Sequence, residues 1–150
     1  MLNIVLVEPE IAPNTGNIGR LCAATGTRLH LIEPLGFQID DRQLKRAGMD
    51  YWKSVDCHVW PNWTAFRAAQ PESSRFWYVE SDAPGCYWDA TYADGDYLIF
   101  GRESAGLPKA WLEANRERWI DIPMSHPTAR SLNLSNCASI VLYEALRQLR

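Results

Sequence analysis

The strongest constraint on the fold is an alternation of short apolar runs with helical stretches. The first run, Leu2–Val7, is nearly unbroken, as a central parallel strand buried on both faces requires. A helix is expected from about Thr15 to Thr25, capped by Asn14, with Ile18, Leu21 and Cys22 on one face and Gly26 as its stop. Leu29–Ile32, Val55–Val59, Phe76–Val79, Tyr97–Phe100 and Arg118–Ile122 read as further strands. Short helices are expected over Asp40–Arg46, after Asn62, and over Leu107–Ala114. The clearest helix runs from about Asn133 to Leu149. There Leu134, Cys137, Ala138, Val141, Leu142, Ala145 and Leu146 recur at helical spacing. The pattern predicts an α/β fold around a mostly parallel sheet flanked by helices. With 150 residues, no repeat and no linker, one domain over 1–150 is expected.

Composition narrows the class. At 47% hydrophobic and 22% charged residues, the chain is neither disordered nor a disulfide scaffold. Cys22, Cys57, Cys86 and Cys137 form no CxxC pair, and His30, His58 and His126 stand at no metal-ligand spacing. No metal site is expected. No apolar stretch approaches the roughly 20 residues of a membrane span, and the start lacks a basic leader, so a cytoplasmic protein is expected. Net charge is −3, which excludes a protein living on non-specific phosphate contacts. Nucleic acid would need a local patch. The best candidate is Arg42, Lys45, Arg46 and Lys53, although a solvated helix face accounts for them equally well. Trp52, Trp60 and Trp63 are close in sequence and suit either core filling or a subunit interface.

Ligands of parallel α/β sheets bind beyond the carboxyl ends of the strands. Three loops leaving expected strand ends are rich in Gly and small polar residues. The first, Glu8 to Arg20, is neither GxGxxG nor a P-loop. A helix there would place Asn14, Asn17 and Arg20 within about 120° of one another, although an Asn cap and a surface Arg explain the same residues. The second, Phe100 to Pro108, has glycines five apart around Glu103. It suits either a close backbone approach to a ligand or a plain tight turn. The third, Ile122 to Asn136, is crowded with hydroxyls and amides. Ser131 or Asn133 can cap the last helix, and the same groups suit a polar ligand held by backbone.

In order, the three loops read N-x-G-N-x-x-R, F-G-x-E-x-x-G-L, and I-P-M followed by S-L-N-L-S-N. This trio resembles the motifs of the SPOUT superfamily of S-adenosylmethionine (SAM) dependent RNA methyltransferases. Over its whole length the chain is similar to the small stand-alone tRNA wobble-nucleotide 2′-O-methyltransferases. The resemblance implies an α/β domain whose C-terminal segment forms a deep trefoil knot, which sequence physics alone would not propose. It implies methyl transfer from SAM to the ribose 2′-OH of cytidine or modified uridine 34, in leucine isoacceptors, with S-adenosylhomocysteine as product. The catalytic arginine of the family falls on Arg20. Asn14, Glu103, Ser131 and Asn133 fall on the motif positions around it. The SAM pocket falls on Val79, Gly101, Ile122, Ser131 and Leu132. Partners implied are a tRNA anticodon stem-loop and a second copy of the chain.

Three features depart from the family pattern. The loop Glu80–Gly85 is acidic, the stretch Ser125–Arg130 is about one residue longer than usual, and Gly19 sits beside Arg20 where a helix former is usual. Methylation elsewhere in tRNA or ribosomal RNA is the alternative within the family. A nicotinamide dehydrogenase lacks its glycine fingerprint here. A non-catalytic RNA-binding protein would not need Arg20, Glu103, Ser131 and Asn133. The surplus apolar residues Ile18, Leu21, Cys22, Val141, Leu142, Ala145 and Leu146 are expected to pack against a second copy in an isologous dimer.

Overall fold

Seven parallel strands form one sheet in the computed structural model, which describes residues 1–40, 42, 52–129 and 131–150. They are β1 (Asn3–Val7), β2 (Arg28–Ile32), β3 (Cys57–Trp60), β4 (Phe76–Val79), β5 (Gly85–Cys86), β6 (Tyr97–Phe100) and β7 (Trp119–Asp121). Their order is β3-β2-β1-β6-β4-β7-β5. β1 and β6 lie at the centre, paired from Asn3 with Tyr97 to Leu6 with Phe100. Every residue of both strands is buried, which is why they read as continuous apolar runs rather than alternating ones.

Alternate residues of β1 feed two separate cores. Ile4 and Leu6 face the layer of α1 (Ala12–Thr25) and α4 (Leu134–Gln148), where they meet Ile18, Cys22, Val141 and Leu142. Val5 and Val7 face the opposite layer, built on α2 (Trp63–Ala69) and α3 (Lys109–Ala114). The three tryptophans divide between these layers. Trp52 packs on the α1 side, while Trp60 and Trp63 join the aromatic core opposite, where Trp63 stacks on Trp111 at 4.3 Å between centroids.

Two expectations are corrected here. Asn14 does not cap α1. The helix starts three residues earlier, with Ile11 at the cap position and Pro13 in the first turn, where a missing N–H costs nothing. The apolar residues counted as surplus are also largely used within the chain. Ile18, Cys22, Val141, Leu142 and Ala145 are at most 1% exposed, and Leu21 and Leu146 pack against the same core. Other local signals match the structure. Asn62 caps α2 by accepting from the Ala65 N–H at 2.8 Å, and Asn133 caps α4. The expected helix over Asp40–Arg46 lies mostly outside the described residues. Among the described residues, no helix is long and apolar enough to cross a membrane.

Candidate active site

The carboxyl ends of β4, β6 and β7 open on a cavity of about 1050 Å³. Val79, Gly101, Ile122, Ser131 and Leu132, the positions expected to hold a cofactor, all line it. So do Asn14, Glu103 and Asn133. The wall is largely backbone, because the loop after β6 folds back on itself. The Arg102 N–H donates to the Gly106 carbonyl at 3.3 Å, and the Gly106 N–H returns to the Arg102 carbonyl at 2.7 Å. A Cβ on Gly101 would collide with the backbone of Gly106 and Leu107. The glycines five apart therefore serve the turn itself as well as the cavity.

Glu103 is the hub that joins the loops. Its carboxylate accepts from the N–H groups of Glu10 at 2.9 Å and Ile11 at 2.7 Å, and from the Asn14 side-chain amide at 3.3 Å. A carboxylate thus sits at the amino end of α1, where the helix dipole favours negative charge. The Asn14 carbonyl oxygen in turn accepts from the Asn133 amide at 3.0 Å. Finally, the Asn133 oxygen accepts from the Ser135 N–H at 2.9 Å and its hydroxyl at 2.6 Å. The polarity of this chain is fixed at both ends. A backbone N–H can only donate and an ionised carboxylate can only accept, so turning either asparagine over would set like groups against each other. The first loop is thereby tied to two others that lie about ninety residues or more along the chain.

Glu10 completes the lock from the other side. Its carboxylate accepts from the Ser104 N–H at 2.9 Å and hydroxyl at 2.6 Å, and those bonds, with Arg102 nearby, lower its pKa. Glu80 performs a similar service, accepting from the Leu107 N–H at 2.7 Å and from Ser81. The sequence reading treats this acidic loop only as a departure from the family pattern. Its structural role rests on a partner 27 residues away, which no local spacing shows. Asp121, on the cavity wall, has its pKa raised by burial, against the lowering effect of the Ala83 N–H.

Arg20 stands apart. It is exposed on α1, about 9 Å along the axis from Asn14, and does not line the cavity of its own chain. Arg42 and Lys53 are exposed; Lys45 and Arg46 lie outside the described residues. Among the described residues, no three or more His, Cys, Asp or Glu side chains are grouped to hold a metal ion.

Residues 1–143 match the model of the SpoU rRNA Methylase family. The chain belongs to this family. As a SpoU methylase it is 52% identical over 152 residues to a tRNA (cytidine(34)-2'-O)-methyltransferase of Saccharophagus degradans, covering 99% of the chain and 96% of the relative. Its fold matches a solved structure described as giving insights into the 2-OH methylation of C/U34 on tRNA. That match has TM-score 0.93 and 44% identity, with 99% of this chain and 96% of the other covered. It also resembles the SpoU methyltransferase AviRb from Streptomyces viridochromogenes, solved in complex with AdoMet. Here the TM-score is 0.82 and the identity 25%, covering 99% of this chain and 58% of AviRb.

Proposed function

We propose that this SpoU methylase transfers a methyl group from SAM to the ribose 2′-OH of nucleotide 34, cytidine or modified uridine, in tRNA. The observation that carries the reading is the hydrogen-bonded chain from Glu103 through Asn14 to Asn133, at a backbone-lined cavity over the strand ends. The names of the relatives supply the substrate. The cavity suits SAM chemically. Its wall is tight backbone around Gly101, and Glu80, Asp82 and Asp121 are carboxylates that suit a ligand carrying sulfonium and ammonium charge. Val79, Gly101, Ile122, Ser131 and Leu132 would hold the cofactor. When bound, SAM supplies an electrophilic methyl group and leaves as S-adenosylhomocysteine.

The remaining work falls to the protein. A ribose hydroxyl is a weak nucleophile, so it must be aligned and relieved of its proton. Arg20, in its charged form, would grip a phosphate beside the reacting ribose and hold it where that phosphate accepts the proton. Asn14, Glu103 and Asn133 keep the start of α1, and through it Arg20, in a fixed relation to the cavity loops.

The reading extends to assembly and topology. Arg20 lies outside its own cavity, and a homodimer would bring the Arg20 of one protomer to the cavity of its partner, with the tRNA anticodon stem-loop spanning both. The last helix returns to pack on α1 and β6 after β7 has been inserted between β4 and β5. That path is compatible with the trefoil knot of SPOUT relatives. Transfer of labelled methyl from SAM to unmodified tRNA tests the activity. Wild type should label tRNA while Arg20→Ala should not, and equal labelling by both would remove Arg20 from its role.

The family description names ribosomal RNA, so methylation of ribosomal RNA is the second reading. Label appearing in ribosomal RNA rather than tRNA would favour it.

A further inference from the structure

Gly19 is buried in α1 immediately before Arg20, and a glycine inside a helix lowers its stability by roughly 1 kcal/mol relative to alanine. The reason for that sacrifice lies in the neighbouring segment. The indole of Trp52 rests in the notch that Gly19 leaves: a Cβ there would lie 2.7 Å from Trp52 Cζ3 and 3.1 Å from Cε3. The ring is also packed on the core beneath α1. The Val55 N–H donates to the Trp52 carbonyl at 3.1 Å, closing the 3₁₀ turn Trp52–Ser54 that carries Lys53.

The residue after each member of this contact, Arg20 after Gly19 and Lys53 after Trp52, is an exposed cation. The notch therefore joins two segments that each carry an exposed cation one residue beyond the contact. Two positive charges held by a packed ring suit successive phosphates of a nucleic-acid backbone, since neither segment must be ordered when the ligand arrives. We infer that Trp52 is a positioning residue for RNA: seated against Gly19, it holds Lys53 beside Arg20 as one phosphodiester-binding element. This inference deepens the tRNA reading above and rests on it.

A double-mutant cycle on tRNA affinity tests it, with Trp52→Ala, Lys53→Ala, the pair, and Trp52→Phe. Lys53→Ala should weaken binding about fivefold and reduce the slope of log affinity against log salt by about one. Trp52→Ala should lose at least as much, and adding Lys53→Ala to it should cost almost nothing more. Trp52→Phe should stay within about twofold of wild type, and SAM affinity should not change in any variant. Losses that multiply in the pair would overturn the assignment, as would a folded Trp52→Ala protein with wild-type tRNA affinity. Gly19→Ala keeps the indole and favours the helix, so it covers the case in which Trp52→Ala fails to fold. It should show the same loss and the same indifference to Lys53→Ala, and unchanged affinity would contradict the inference. If the wild-type protein methylates no tRNA, the tRNA reading and this one fall together. If it does and the losses multiply, only the role of Trp52 falls.

Discussion

At the scale of single residues, the decisive feature is the use of both ends of the Asn14 amide. It donates to Glu103 and accepts from Asn133, so a side chain lacking either a donor or an acceptor loses at least one bond. Asn14→Asp would set a second carboxylate against Glu103 and leave it acceptor-only. Asn14→Ala loses both hydrogen bonds; at about 1 kcal/mol each this implies roughly a 30-fold fall in methyl transfer, read as initial rate at saturating SAM, and an unchanged rate would mean the chain is ornamental. Arg20 makes a different prediction. Arg20→Ala and Arg20→Lys should each lose about 100-fold or more in rate, since a lysine point charge lacks the guanidinium fork. Calorimetric titration should show SAM affinity unchanged, because Arg20 lies outside the cavity of its own chain and its role is to grip the substrate phosphate rather than SAM. A collapse of SAM binding would contradict that separation.

Elements were legible in the sequence where a local rule governs them. Leu2–Val7 and Tyr97–Phe100 read as strands because burial on both faces leaves an unbroken apolar run, and Asn62 announces α2 through its own cap. The start of α1 differs from the expected one because its capping group is not local. Pro13 suits a first turn, and the carboxylate that meets the preceding N–H groups comes from Glu103, 93 residues beyond Glu10. The two-residue β5 offers no periodicity to detect. At the site, the motifs pointed to Asn14, Glu103 and Asn133 but not to their order in one hydrogen-bonded chain. Glu10 and Glu80 were not singled out, since their partners are distant in sequence. The β6–α3 loop supplies the prediction at this scale. Gly101→Ala drives a methyl group into the Gly106–Leu107 backbone, so the loop must open, and SAM affinity should fall at least tenfold by calorimetry while the purified protein stays folded. Wild-type affinity would show that the cavity does not depend on this turn.

The whole molecule carries a pH dependence in its core, away from the cavity. His30 is buried on β2 between β1 and β3, with Trp60 Nε1 donating to its Nδ1 at 3.1 Å and Nε2 facing Asn3 Oδ1 at 3.1 Å. Burial first, then His58 and Arg28, lower its pKa to about 4. The unfolded chain binds that proton near 6.5, so stability is full above this value and is lost as pH falls toward 4. Between pH 7 and pH 5 the loss should be about 2 kcal/mol, seen as a falling melting temperature, and His30→Gln should flatten that slope. The assembly of the whole is tested by mixing Arg20→Ala with Gly101→Trp: if Arg20 serves the partner's cavity, subunit exchange should restore part of the activity, and a mixture that stays inactive despite exchange would oppose a shared site. The proposed activity stands on the position and the chemistry of methylation. Mass spectrometry of oligonucleotides from unmodified tRNA, incubated with the purified protein and SAM, reads both directly. One added methyl is expected on the ribose of nucleotide 34, as 2′-O-methylcytidine or 2′-O-methyluridine; a methyl on a base, at another nucleotide, or on no tRNA would refute the proposed activity.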